Sequence, residues 1–129
     1  MPQENAIPQV VSVEDDAHLY TLIEMTLRPL PIKLHHASTA HDALEMIPAI
    51  KPDLLILDIN LPDGYGWDVL KVVDEMDDVL VKGVIMLTAQ KSPAHRVIAR
   101  LQSVTAYITK PFKPKELRAM VAETLKLDI

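Results

Sequence analysis

The amino-acid sequence predicts an α/β domain in which a parallel five-stranded sheet carries helices on both faces. Three observations predict it. Short, wholly apolar runs recur along the chain, segments of helical period separate them, and the two kinds of segment alternate throughout. At 129 residues and 49% apolar content, the chain suits one compact domain over residues 1–129. A domain of this size buries roughly two-thirds of the surface its unfolded chain exposes, so its core needs no covalent staples.

The elements follow in order. Val10-Val11-Ser12-Val13 reads as a buried strand. Leu19, Leu22, Ile23, Thr26 and Leu27 then form a helical stripe, which Pro29 ends by disfavouring helical geometry at Arg28. Ile32 and Leu34 alternate with Lys33 and His35, the pattern of a half-covered edge strand. Ser38 or Thr39 caps a second helix along Ala40, Ala43, Leu44 and Ile47. Leu54-Leu55-Ile56-Leu57 is the third strand, followed by a helix on Val69, Val72, Val73 and Met76. Val84-Ile85-Met86-Leu87 is the fourth strand. Ser92-Pro93 opens the fourth helix, a cap followed by proline in the first turn, through Val97, Ile98 and Leu101. Ala106 to Thr109 is a weaker fifth strand. A last helix opens near Pro114 and carries Leu117, Met120, Val121 and Thr124.

The sum is (βα)5, wound by right-handed crossovers. Fully apolar strands belong at the centre of a parallel sheet and the alternating one at an edge. The strand order 2-1-3-4-5 satisfies this, giving a flavodoxin-like three-layer sandwich whose chemistry should lie beyond the carboxyl ends of the strands.

Composition narrows the function. With 18 acidic against 13 Lys and Arg residues, the formal net charge is −5 and no basic patch stands out, so nucleic-acid binding by this domain alone is not expected. The absence of cysteine excludes disulfides, thiolate metal sites and cysteine nucleophiles. Apolar runs stop at four residues, far below the ~20 that span a bilayer, and no charged-then-apolar leader opens the chain. A cytoplasmic location is the expectation. The acids Asp74, Glu75, Asp77 and Asp78 read as a solvated helix end. The three glycines, at 64, 66 and 83, build neither a dinucleotide fingerprint nor a P-loop.

Polar residues fall where the fold demands them. The first strand runs into Glu14 and Asp15, the third into Asp58, the fourth into Thr88 and the fifth into Lys110. Singly, each could be a cap or a loop residue; five at one rim call for a common cause. Three carboxylates so close repel, and one lysine cannot neutralise them. A hard divalent cation can, and Mg2+ favours few carboxylates, several waters and a phosphate oxygen. A carboxylate beside Mg2+ can attack phosphorus and form an aspartyl phosphate, while Thr88 and Lys110 could hold phosphoryl oxygens. His35, His36 and His41 are poor support for a transition-metal site, being placed near the edge strand.

These residues resemble the receiver domain of two-component response regulators over nearly the whole chain. The segments that carry the resemblance are Val-Val-Ser-Val-Glu-Asp-Asp (10–16), Pro-Asp-Leu-Leu-Ile-Leu-Asp-Ile-Asn-Leu-Pro-Asp-Gly-Tyr-Gly (52–66), Met-Leu-Thr-Ala (86–89) and Tyr-Ile-Thr-Lys-Pro-Phe (107–112). The resemblance implies a bacterial phosphorelay switch in which Asp58 is the phosphoacceptor. It implies Mg2+ on Glu14, Asp15, Asp58 and the Asn60 backbone carbonyl. Thr88, Ala89 and Lys110 would contact the phosphoryl group, the Lys110–Pro111 bond would be cis, and Pro62 and Gly66 would belong to the loop after the third strand. Thr88 and Tyr107 would form the switch, read by an unknown downstream partner on the face of helix four, strand five and helix five. The donor would be a sensor histidine kinase or a histidine phosphotransfer protein, and the protein itself would be no conventional enzyme.

Two features depart from the family pattern. Ser103-Val104-Thr105-Ala106 replaces the common Gly-Ala-Asp-Asp, which argues against an acid-paired dimer and for a monomer or weak dimer. The chain also ends at Ile129, just after the last helix, so it is either a single-domain regulator without an output domain or a receiver cut from one with a DNA-binding or enzymatic output domain. A small Mg2+-dependent phosphohydrolase with an aspartate nucleophile is the distant alternative. It would need an acid/base aspartate two residues after the nucleophile, where this chain has Asn60.

Overall fold

Five parallel strands make one sheet: β1 (Gln9–Val13), β2 (Lys33–Ala37), β3 (Leu54–Leu57), β4 (Gly83–Thr88) and β5 (Ala106–Thr109), in the order β2-β1-β3-β4-β5. The computed structural model describes residues 6–89 and 104–127. The fourth helix expected from Pro93 lies outside the described residues. Strands β3 and β4 are buried along their whole length and β1 along all but its first residue, whereas β2 is buried only at Ala37. Central and edge positions therefore follow apolar content, as the sequence requires.

Alternation along the strands divides the core in two. Val11, Val13, Leu55, Leu57 and Met86 pack with helices α2 (Ala40–Ile50) and α3 (Gly66–Asp74) on one face. Val10, Ile56, Ile85, Leu87 and Ile108 pack with α1 (Ala17–Leu27) and the C-terminal helix (Pro114–Thr124) on the other. Arg118 Nε donates to the carbonyl of Thr26 at 2.9 Å and ties these last two helices together.

Helix ends show what the stripes could not. Asp16 caps α1, its carboxylate accepting from His18 N at 2.9 Å and Leu19 N at 3.2 Å. The third acid of the Glu14–Asp16 run thus has a structural task. Arg28 remains helical (φ −54°, ψ −37°), so α1 does not end through the residue before Pro29. It ends because Pro29 has no N–H to continue the ladder. Thr39, rather than Ser38, caps α2 by accepting from Asp42 N at 3.0 Å. Leu22 and Val72, expected to face the core, are 41% and 40% exposed; Leu70 is buried instead. A stripe on a short helix is wider than the strip its neighbours cover.

Within β1, Ser12 is fully buried and its hydroxyl has no hydrogen-bond partner among the described residues. A buried, unpaired hydroxyl costs about 1–3 kcal/mol of desolvation. Ser12→Ala is therefore expected to stabilise the fold by about 1 kcal/mol after the small lost volume is counted. Urea denaturation of the two proteins checks this, and a variant less stable than wild type would contradict it.

Candidate functional site

The strands deliver their polar termini to one rim. Glu14 follows β1 and is only 2% exposed, Asp58 follows β3 and is 6% exposed, and Thr88 closes β4 fully buried. Asp15 and Asn60 lie exposed beside them, as does Ala89 at the end of β4. Parallel pairing sets their depth: Asp58 N donates to Val13 O at 3.1 Å, Glu14 N to Ala37 O at 3.0 Å and Lys110 N to Thr88 O at 2.7 Å. Each is one rung beyond its strand. The Lys110–Pro111 peptide is cis.

Lys110 spans the acids. Its ammonium lies 2.8 Å from Asp58 Oδ2 and 3.1 Å from Glu14 Oε1. The other oxygens are also engaged: Asn60 N donates to Asp58 Oδ1 and Asp16 N to Glu14 Oε2, both at 3.2 Å. One carboxylate oxygen from each of Glu14, Asp15 and Asp58 falls within 4.8 Å of the others. An all-oxygen donor set with one lysine among three acids suits a hard cation such as Mg2+, and its excess negative charge favours one.

Burial above all, then the charge of Asp58, raises the Glu14 carboxyl to about 7, against the opposing pull of Lys110 and the Asp16 N–H. Burial also works against the charge on Lys110, but the hydrogen bond to Asp58 and the charges of Glu14 and Asp58 outweigh it and hold the ammonium above its ordinary pKa. The lysine stays charged; the strain of crowding falls on Glu14.

The loop after Asp58 contains features that patterns in the sequence missed. Asn60–Leu61 and Gly64–Tyr65 form a small antiparallel hairpin. At Gly66 a Cβ would collide with the Asp58 carbonyl oxygen, so only glycine lets the start of α3 approach the site. Asp63 reaches across to accept from Ala40 N at 2.8 Å and His41 N at 3.0 Å, fixing the hairpin to the start of α2. Those bonds hold the Asp63 carboxyl below its ordinary pKa.

The histidines separate on inspection. His35 Nε2 lies 2.7 Å from Gln9 Oε1 at the edge strand. His41 shares an exposed helical turn with Asp42 and Glu45 and lies 3.3 Å from Glu45 Oε1. His36, expected to be remote, touches the site: its Nε2 is 2.7 Å from the Glu14 carbonyl oxygen. Tyr107 is half-buried on β5, opposite Met86, and packs on the α2–α3 side of the core.

A doubly wound sheet of this order, with a lysine-bridged acid cluster at its carboxyl rim, belongs to the flavodoxin-like class, whose sites lie beyond the strand ends. Known proteins agree with that class. The family model of the response regulator receiver domain matches residues 10–122. A signal receiver domain assigned to a Luxo repressor protein from Vibrio parahaemolyticus is 33% identical, with TM-score 0.87 over 93% of this chain and 91% of that one. A CheY-like receiver domain protein from Methanospirillum hungatei JF-1 is 26% identical, with TM-score 0.85 over 94% and 95%. The receiver domain of Francisella response regulator 1452 is 25% identical, with TM-score 0.82 over 92% and 97%. The chain belongs to the response regulator receiver family and is a phospho-accepting signalling switch.

The Glu14 shift has a measurable consequence in the metal-free protein. A carboxyl raised by folding favours the fold while protonated, so its contribution is full below 4.5 and is lost as pH rises through about 7. Asp58→Asn removes one raising charge and should lower the Glu14 pKa. A carbon-13 titration of the Glu14 carboxyl in chelator, for both proteins, tests this. Ordinary titration near 4.5 in wild type would overturn the assignment of burial and charge.

Proposed function

We propose that Asp58 is the phosphoacceptor, with Glu14, Asp15, Asp58 and the Asn60 backbone carbonyl holding Mg2+. The observation that carries this reading is the Asp58 carboxylate, buried, 2.8 Å from the Lys110 ammonium and inside the three-acid group. When bound, the cation would neutralise the acids and draw charge from the transferring phosphoryl oxygens. An oxygen of Asp58 attacks phosphorus, and the P–N bond of a donor phosphohistidine breaks with its electron pair returning to the imidazole. A sensor histidine kinase or histidine phosphotransfer protein supplies that donor. Lys110 holds Asp58 and Glu14 before transfer and exchanges one of these bonds for a phosphoryl oxygen afterwards. Ala89 and Thr88, at the end of β4, bound the other side of the phosphoryl group.

Phosphorylation adds close to two negative charges and three acceptor oxygens. The Thr88 hydroxyl turns toward them and Tyr107 follows into the vacated space. A downstream partner then reads the face that carries β5 and the C-terminal helix. Shifting such an equilibrium from about 1:99 to 99:1 takes ~5.5 kcal/mol. A single hydrogen bond to a charged group supplies only ~1.5–3 kcal/mol, so Thr88 acts together with Lys110 and the partner. An acid-paired dimer through this face is disfavoured: the Thr105 hydroxyl accepts from Val84 N at 3.1 Å, and Ala106 stands opposite Ile85 in the sheet. A monomer or weak dimer follows.

Acetyl phosphate or a phosphohistidine donor is expected to label wild type only with Mg2+ present, and to leave a folded Asp58→Asn protein unlabelled. Phosphopeptide mapping decides, and undiminished label on the variant would remove Asp58 from this role. Thr88→Ala should accept phosphate yet transmit it poorly. Amide chemical shifts of residues 89–107, with and without beryllofluoride, should move less than in wild type; equal movement would break the proposed coupling route.

A further inference from the structure

We propose that His36, held by Tyr20, is a positioning residue that sets the affinity of the acidic site for its divalent cation. The inference rests on the reading of Glu14 and Asp15 as cation ligands. It starts from the peptide that joins those two acids. Pairing between β1 and β2 ends at Val13 and Ala37. One rung further, Glu14 N–H still finds Ala37 O at 3.0 Å. The Glu14 carbonyl, which belongs to the same peptide as Asp15 N–H, lies past the end of β2.

A side chain takes over there. His36 Nε2 lies 2.7 Å from the Glu14 carbonyl oxygen. A carbonyl can only accept, so Nε2 carries the hydrogen and the imidazole donates. The imidazole is itself fixed by Tyr20 of α1, whose ring stacks on it at 3.8 Å between centroids and 11° between planes. Rotation of the Glu14–Asp15 peptide would swing both carboxylates, one of them exposed and otherwise free of strand pairing. The stack therefore sets the plane from which two of the three acids reach the cation.

An oxygen-ligand site depends on such outer partners because the crowded acids repel until the cation arrives. Lys110 grips the Glu14 side chain from within the rim, and His36 grips its main chain from the β2 side. The two contacts restrain different bonds, so one does not replace the other.

Calorimetric titration of the unphosphorylated protein with MgCl2, at a temperature well below melting, tests the inference. His36→Ala is expected to weaken Mg2+ binding roughly tenfold. His36→Gln keeps an N–H donor and should recover much of that loss, and Tyr20→Leu, which removes the stack but keeps the donor, should lose less than His36→Ala. If truncation unfolds the protein, His36→Leu serves in its place. Labelling by acetyl phosphate should show the same effect as a raised half-saturating Mg2+ concentration, with the rate at saturating Mg2+ close to wild type. A purely structural role would lower the melting temperature and leave the Mg2+ affinity unchanged. Wild-type affinity in His36→Ala would overturn the positioning role while leaving the acidic site intact. A wild type that binds no Mg2+ would overturn both.

Discussion

Crowded negative charge at the carboxyl rim of the sheet is the constraint on which the rest of this structure turns. Two buried carboxylates, Glu14 and Asp58, share one ammonium, and a third acid stands exposed next to them. An isolated buried carboxylate would be expensive, and two without a cation would repel strongly. Lys110 prevents that only in part, which is why the Glu14 carboxyl is pushed up while the lysine stays charged. The rim is stable enough to exist and unbalanced enough to favour a cation. That imbalance suits the phosphoryl-accepting role proposed for the rim.

The fold brings the charges together across great sequence distance. Lys110 is 52 positions from Asp58 and 96 from Glu14, and meets both because β1, β3 and β5 run parallel. Parallel pairing places all strand ends of one sense at one edge, so their first residues beyond the sheet converge. Around this rim the loops are fastened individually. Asp63 ties the hairpin to α2, Gly66 lets α3 begin against the Asp58 carbonyl, and His36 holds the peptide after Glu14. None of these contacts contributes charge to the cluster. Each limits how far an acid can retreat from its neighbours.

Two separate apolar clusters carry the sheet, one on each face. Tyr107 packs at the margin of the α2–α3 cluster, partly buried, on the edge strand β5. An aromatic ring at a margin can exchange neighbours at lower cost than one in the middle of a core, where close packing resists rearrangement. The switch proposed from Thr88 and Tyr107 would use a buried polar group at its chemical end and a half-buried ring at its outer end. Its energy would come from several modest contacts acting together.

Much of this was legible in the amino-acid sequence. Apolar runs marked the strands, their completeness separated β1, β3 and β4 from the edge strand β2, and the rule for strand ends selected Glu14, Asp15, Asp58, Thr88 and Lys110 as neighbours. Those inferences depend on periodicity and topology, which are local or combinatorial. What escaped depends on distance. His36 read as an edge-strand residue, because nothing in its spacing says that its ring reaches past the end of β2 to the Glu14 carbonyl. Leu22 and Val72 carried the helical pattern, yet only the neighbours of α1 and α3 decide which part of a stripe is covered. Arg28 kept helical geometry before Pro29, and the close approach at Gly66 exists only once α3 has docked. Sequence alone determined which residues would share the rim, since parallel strands leave them no other place. Only the tertiary structure decided which oxygen meets which donor, because hydrogen bonds are made or lost over a few tenths of an ångström.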